Sequence, residues 1–223
     1  GFYYDGSWHP APPLPLPLDH LGLASVGGQL YAAGGYSNGP ASARLLRLDG
    51  DRWTDLAPLH HARGALALVA SGSRLYALGG AFRPGGPEVA ETEVYDPAAN
   101  AWQDLPPIPR PRDHVAGFAW HGSVCAAGGR TPNTPVVDCF DPSTGAWAVF
   151  PALPFATSGA GAGTLGERIF AAGGEDAQES VVVQQVATFA AGAWAVQPML
   201  VPRHGFQLAE YGGRLWACGG GTE

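Results

Sequence analysis

Residues 74–80 read RLYALGG, a short apolar run that stops on two glycines, and this stretch decides the fold because it recurs. Five such runs end on a glycine pair: Gly34-Gly35, Gly79-Gly80, Gly128-Gly129, Gly173-Gly174 and Gly219-Gly220. Successive pairs are 45, 49, 45 and 46 residues apart. A fixed period of this length is the signature of a repeat architecture, in which each repeat is one supersecondary unit.

A tryptophan marks the other end of each unit. The series Trp8, Trp53, Trp102, Trp147 and Trp194 has intervals of 45, 49, 45 and 47 residues. The first run of each repeat is built from small residues, as in ALALV (65–69) and AGAGT (160–164). We expect four short strands per repeat, with the small strand nearest a crowded central axis and the tryptophan on the outer fourth strand.

The paired glycines, the tryptophans and the proline-rich connections after them resemble Kelch repeats over essentially the whole chain. The resemblance implies an all-β, Kelch-type β-propeller, so we expect one domain over residues 1–223 with five four-stranded blades. The expected blade units are about 20–53, 65–102, 114–147 and 159–194, and a fifth in which 205–223 joins 1–8. The N- and C-terminal strands would then close one blade jointly. Because Kelch propellers more often have six or seven blades, a fragment, a shortened natural ring and an engineered protein remain alternatives.

Composition excludes several classes of partner. The net charge is −7, all 12 basic residues are arginine and no basic stripe is present, so we expect no nucleic-acid partner. The uncharged run 146–166 contains Pro151 and Pro154, which argues against a membrane helix. We expect a monomer, because a jointly closed blade removes an exposed strand edge. The chain begins with glycine rather than methionine, so a targeting segment would lie outside it and the compartment stays open.

The three cysteines do not form a disulfide framework. We expect Cys125, Cys139 and Cys218 to be buried free thiols, since cysteine is among the most buried residue types. A single bridge between Cys125 and Cys139 on neighbouring strands is the alternative.

Candidate binding residues lie in the loops that lead into the innermost strands. Arg63, Arg112 and Arg203 stand sixteen residues before the first glycine of their repeats, and histidines follow at His20, His114 and His204. In the Kelch substrate adaptors that the chain resembles, Arg, Ser and Asn at matching positions line the channel mouth and bind acidic peptides. The resemblance therefore implies that these arginines hold a carboxylate through their planar fork. In the alternative, they bond to carbonyls of neighbouring blades or to Asp19 and Asp113.

The loops after the glycine pairs open on the same end of the expected propeller. Tyr36 and Arg130 match places that contact ligand in adaptor Kelch domains. Phe82 and Arg83 belong to an extended loop, residues 82–91, that is either a specificity loop or a solvated one.

No recognisable catalytic, cofactor or metal motif stands in a suitable context. The run 161–166 matches a dinucleotide fingerprint but lies in an innermost strand, and the pair His60-His61 has no partner at metal-ligand spacing. We therefore expect a non-enzymatic module that binds a protein or peptide, an acidic one by resemblance, at the channel mouth. The alternatives are an enzyme acting on an acidic sugar, similar to Kelch-fold sialic acid mutarotases, and a scaffold or carbohydrate-binding ring. In the enzyme, His114, His204 and Glu175 would move protons.

Overall fold

The computed structural model describes residues 2–222, and its regular structure consists of twenty short strands. The strands are β1 Phe2–Tyr4, β2 Trp8–Pro10, β3 Gly22–Val26, β4 Gln29–Ala33, β5 Leu45–Asp49, β6 Arg52–Asp55, β7 Ala67–Ser71, β8 Arg74–Leu78, β9 Thr92–Asp96, β10 Ala101–Leu105, β11 Ala116–Trp120, β12 Ser123–Ala127, β13 Val137–Asp141, β14 Ala146–Phe150, β15 Gly161–Thr164, β16 Ile169–Ala172, β17 Gln185–Ala190, β18 Ala193–Pro198, β19 Gln207–Tyr211 and β20 Arg214–Cys218. Within these described residues, a search for helices long and apolar enough to cross a membrane finds none.

Four blades are complete antiparallel sheets of four strands in chain order: β3–β6, β7–β10, β11–β14 and β15–β18. Their first strands pack side by side in the order β3, β7, β11 and β15, and β19 of the last hairpin continues the row, which places the small-residue strands innermost as expected. The all-β propeller is confirmed.

Crowding between innermost strands explains their composition. A Cβ added to Gly117 of β11 would lie only 2.6 Å from the Cβ of Ala67 in β7. A larger residue would therefore force neighbouring blades apart, since packed interiors have little spare volume. Glycine and alanine are required where the wedges of the propeller meet.

The core lies between consecutive blades, where the outer tryptophans complete it. Trp102 of β10 is buried against Tyr95, and its indole N–H donates to the Ala57 carbonyl in the preceding connection at 2.9 Å. Trp53, Trp147 and Trp194 make the same bond to their own preceding connections. The repeated tryptophan thus ties each fourth strand to the neighbouring blade, and burying such a side chain contributes on the order of 2–3 kcal/mol.

Two cysteines form a disulfide, so the expectation of free thiols is wrong for them. Cys125 of β12 and Cys139 of β13 are directly opposite each other in the ladder, with their Cα atoms 4.0 Å apart and their sulfurs bonded. Cys218 is a free thiol but is exposed rather than buried, because β20 belongs to a two-stranded sheet with little packed against it.

The two ends of the chain do not form the expected joint blade. Strands β1–β2 and β19–β20 are separate two-stranded sheets, and no ladder joins them among residues 2–222. The rings of Tyr4 and Trp216 lie against each other, with centroids 5.2 Å apart. Tyr31 of β4 and Tyr95 of β9, at the matching repeat positions, make such a contact between two consecutive blades.

The β1–β2 hairpin therefore stands beside the last hairpin as a neighbouring blade would, rather than extending its sheet. The edge of β1 that faces away from β2 and the edge of β20 that faces away from β19 pair with no strand in the described part of the chain. The monomer prediction rested on a closed edge, so this argument for it no longer holds.

Candidate functional site

Five equivalent loop residues form an arc of backbone hydrogen bonds at one end of the propeller. His20, Ala65, His114, Gly159 and Gly205 all adopt the left-handed conformation, with φ between 51° and 64°. Each of the last four donates its N–H to the carbonyl of the preceding one at 2.8–2.9 Å. The arc holds the loops that lead into the first strands of consecutive blades at the same end of the propeller. This is the end at which the sequence predicts the mouth.

Arg63 is fully buried and its guanidinium faces its own blade. Its Nη2 donates to Glu93 Oε2 at 2.5 Å, and its Nη1 donates to the Gly79 carbonyl at 3.2 Å and to the Glu91 carbonyl at 2.5 Å. Nε donates to the His61 carbonyl at 3.1 Å. Burial lowers the pKa of this guanidinium, and the charge of Glu93 opposes that effect.

Arg112 repeats this arrangement, whereas Arg203 is partly exposed, shares only the bonds to backbone carbonyls and has no carboxylate partner among the described residues. Arg112 is 2% exposed, donates to Asp138 Oδ2 at 2.8 Å and to the Gly128 carbonyl at 2.6 Å. Arg203 donates to the Gly219 carbonyl at 2.7 Å. Arg63 and Arg112 thus have no accessible surface for a ligand, because they complete the hydrogen bonding of their own glycine turns. The alternative, in which these arginines bond to carbonyls of neighbouring blades or to Asp19 and Asp113, is also wrong. Their carbonyl partners belong to the same blade, and their carboxylate partners are Glu93 and Asp138.

A cavity of about 510 Å³ opens beside the arc. Among the residues that line it are His20, Tyr36, Glu88, His114, Arg130 and Glu179. Four of the predicted binding residues therefore meet in one place. Phe82 and Arg83 are exposed at the start of the loop 82–91, whose tip at residues 84–86 lines the cavity.

Arg130 is the cation of this cavity, and carboxylates already surround it. Its Nε lies 3.3 Å from Asp113 Oδ1 and its Nη1 lies 3.6 Å from Glu175 Oε1. The same Nη1 also donates to Glu179 Oε1. Its Nη2 lies 3.2 Å from His114 Nε2.

The contacts of His114 determine its tautomer. A guanidinium has no acceptor, so the Nε2 of His114 accepts the bond from Arg130 and its proton is on Nδ1. That Nδ1 donates to Asp113 Oδ1 at 3.0 Å. Burial raises the pKa of Asp113, but the hydrogen bond from His114 and the charge and hydrogen bond of Arg130 outweigh it and hold the pKa of this carboxyl below its usual value.

The remaining mouth residues are held by their own partners. The Tyr36 hydroxyl donates to the Ala81 carbonyl at 3.3 Å, and burial together with the charge of Asp113 raises the pKa of Tyr36 to about 12. Tyr36 is therefore a neutral donor and not a base. His20 pairs with Asp19 at 2.8 Å, and its ring lies 5.0 Å from that of His114.

His204 lies outside the cavity lining, and its Nδ1 lies 3.1 Å from Glu175 Oε2. Two residues of the site were missed in the sequence, Glu88 and Glu179. They stand in loops of unequal length after different glycine pairs, so repeat alignment could not place them together. Their charges make the mouth predominantly anionic.

Comparison with known proteins identifies the repeat. Residues 62–109 match the family model of the Kelch motif. The chain belongs to the Kelch-repeat family. It is 30% identical to Kelch-like protein terF of Aspergillus terreus over 241 residues, which cover 97% of this chain and 52% of that protein. It is 34% identical to human Kelch-like protein 33 over 129 residues, which cover 55% of this chain and 24% of that protein.

The Kelch chain thus spans about half of one of these relatives and a quarter of the other. Its fold is similar to the solved structure of YjhT, with a TM-score of 0.80 and 19% identity, over 94% of this chain and 75% of that one. At this identity the likeness concerns the fold. The Kelch fold is consistent with a protein-interaction module.

Proposed function

We propose that this Kelch chain is a non-enzymatic binding module whose mouth takes a cationic segment of a protein partner. The observation that carries the proposal is the surplus of carboxylates around Arg130. Asp113, Glu175 and Glu179 all contact its guanidinium. Glu88 also lines the cavity, so several negative charges face one positive charge.

An acidic ligand, the class implied by resemblance, fits this geometry poorly. Two of the three arginines predicted to hold it, Arg63 and Arg112, have their donors taken up inside their blades. At Arg130 it would have to displace carboxylates that are already in place. Two like charges 4 Å apart repel by about 4 kcal/mol at the effective dielectric of a protein surface.

A lysine or arginine side chain fits the same surface well. Glu179 is half exposed at the rim, where it can pair with an incoming cation. The ring of His20, which is 46% exposed and also lines the cavity, offers apolar contact to the aliphatic stem of such a side chain. Complementary charge would raise the association rate and exclude acidic competitors.

The experiment compares two fluorescent peptides of equal length, one rich in lysine and arginine and one rich in aspartate and glutamate. Anisotropy should show the cationic peptide binding at least about tenfold more tightly, a difference of about 1.4 kcal/mol. The difference should shrink as salt is added, since salt screens exposed charges.

Matched variants locate the effect. Glu179→Gln and Glu88→Gln should each weaken binding of the cationic peptide several-fold. Glu167→Gln is the control, because Glu167 lies far from the mouth. It pairs with His121 at 3.0 Å, and both residues stand in turns at the end of the inner strands that faces away from the mouth. Tighter binding of the anionic peptide, or an equal loss in Glu167→Gln, would refute the proposal.

The acidic-sugar alternative is not adopted. It needs arginines at the mouth to hold the sugar carboxylate, and Arg63 and Arg112 are buried. Among its proposed proton carriers, His114 has both ring nitrogens in hydrogen bonds.

A further inference from the structure

Two histidines of the mouth contact each other although they belong to different blades. His20 and His114 are equivalent residues of the first and third blades, both line the cavity, and their ring centroids are 5.0 Å apart in an edge-to-face arrangement. The same position holds Ala65, Gly159 and Gly205 in the other repeats, with the same left-handed backbone. The arc therefore does not require imidazoles. What they add to the mouth is a side chain type whose charge changes between pH 5 and 8.

The bond between Arg130 and His114 depends on the charge of the histidine. Arg130 Nη2 donates to His114 Nε2 at 3.2 Å, which requires a neutral imidazole with its proton on Nδ1. That Nδ1 donates to Asp113 Oδ1 at 3.0 Å. A proton added to Nε2 would turn this acceptor into a donor, and two positively charged donors would then face each other. The contact with Arg130 can therefore form only while His114 is neutral.

Charged and titratable groups surround His114 from several loops. Asp113 lies on its own loop, Arg130 follows β12, His20 and its partner Asp19 precede β3, Glu175 and Glu179 follow β16 and contact Arg130, and Glu88 and Tyr36 complete the lining. Carboxylates ordinarily keep their charge down to about pH 5, and arginine keeps its charge throughout. Between pH 7.5 and 5.5 the histidines are the groups that change the charge of the mouth, and they make it more positive.

We propose that protonation of His20 and His114 releases the cationic partner, so that the mouth binds near neutral pH and dissociates in mildly acidic solution. This inference rests on the proposed function. Each proton adds a positive charge to the cavity that receives the ligand cation, and like charges at contact distance repel. The proton on His114 also breaks its bond with Arg130. His204 contributes less, because it lies outside the cavity lining and pairs with Glu175 at 3.1 Å.

The fluorescent cationic peptide described above tests this inference when it is titrated at pH 7.5 and pH 5.5 and at constant ionic strength. Binding to the wild-type chain should weaken at least about tenfold at the lower pH, since histidines gain their charge within this range. Linkage also requires the reverse effect, in which the bound peptide expels protons from the mouth. Calorimetry at pH 6 in two buffers of different ionisation enthalpy should therefore show proton release on binding.

Asparagine is the matched replacement, because it does not titrate and readily adopts the left-handed conformation of both histidines. In the double variant His20→Asn/His114→Asn, the affinity should change less than about threefold over the same range. His121→Asn is the control: His121 has a similar φ of 47° but pairs with Glu167 away from the mouth. It should keep the pH dependence of the wild type. Urea unfolding at both pH values shows whether each variant is folded.

An NMR titration of the free chain tests the first step without any ligand. The ring signals of His114 and the guanidinium signals of Arg130 should shift together in one transition, because one proton breaks their bond. A cationic peptide that does not bind at pH 7.5 would refute the proposed function and this inference with it. Binding that is equally tight at pH 5.5, the same pH dependence in the double variant, or its loss in His121→Asn would overturn this inference alone.

Discussion

Arg63 and Arg130 occupy neighbouring loops at the same end of the propeller and have opposite roles. Arg63 is wholly buried and binds the Gly79 and Glu91 carbonyls and one carboxylate. Arg130 is 19% exposed and is surrounded by carboxylates at the edge of the cavity. The comparison teaches that an arginine at a ligand-binding position of a repeat becomes structural when unpaired turn carbonyls lie within its reach.

The backbone at the Arg63 position strengthens this reading. The Arg63 carbonyl accepts the N–H of Gly35 from the preceding blade at 2.9 Å, and the Arg112 carbonyl accepts that of Gly80 at 3.1 Å. The side chain therefore binds its own blade while the carbonyl binds the previous one. Arg130 joins no glycine turns in this way.

The largest expected effect is from Arg63→Ala. It leaves Glu93 buried without its cation, and breaking a buried ion pair in this way costs about 3–5 kcal/mol. Urea unfolding measures the loss. Arg44→Ala is the control, because the Arg44–Asp55 pair at 2.7 Å is exposed and should cost at most about 1 kcal/mol. Equal losses in the two variants would make Arg63 an ordinary surface arginine.

A smaller effect separates two glycines with the same backbone conformation. Gly79 and Gly219 have φ of 62° and 78°, so alanine strains both alike. A Cβ at Gly79 would lie 2.6 Å from the Arg112 carbonyl, whereas at Gly219 it meets nothing within 4 Å. Gly79→Ala should therefore be more destabilising than Gly219→Ala by about 1–3 kcal/mol in thermal or urea unfolding. Similar values would mean that the last glycine pair also packs against a blade in solution.

Arg130→Gln should affect both binding and stability. Its guanidinium is 19% exposed but two of its partners, Asp113 and Glu175, are buried, so the free energy of unfolding should fall by about 1–3 kcal/mol, less than for the wholly buried Arg63. Removing the cation leaves Asp113, Glu175 and Glu179 uncompensated, so the cationic peptide should bind several-fold more tightly in the anisotropy assay. Weaker binding of that peptide would show that Arg130 itself contacts the ligand.

The smallest effect concerns Tyr36. Tyr36→Phe removes the bond to the Ala81 carbonyl and should cost about 1 kcal/mol. Because folding raises the pKa of Tyr36 from 10.0 to about 12, the folded state holds the proton more tightly. The stability from this shift is complete below pH 10 and is lost as pH rises toward 12. Urea unfolding at pH 9 and pH 11 should therefore show a larger pH loss in the wild type than in the variant.

Much of the fold could be predicted because its determinants are local and periodic. Strand ends, glycine turns and outer tryptophans follow from the repeat, since each blade must pack against the next. The absence of a joint blade could not be predicted, because whether β1 pairs with β20 depends on how many blades complete the circle. That number depends on small rotations between blades that no single repeat encodes.

The site was harder to predict because its contacts join distant loops. Tyr36 and Arg130 were placed by their repeat positions, but the burial of Arg63 depends on Glu93, thirty residues away. His60 and Asp104 are separated by 44 residues and meet only when two blades pack. Short-range sequence spacing cannot reveal such a pair.

A crystal structure of the chain soaked with a short arginine-containing peptide tests the central claim directly. The account predicts that the peptide guanidinium lies within hydrogen-bond distance of Glu179 or Glu88, with Arg63 and Arg112 still turned into their blades. A peptide carboxylate bound to Arg130 in place of Glu179, or Arg63 turned out toward the ligand, would contradict it.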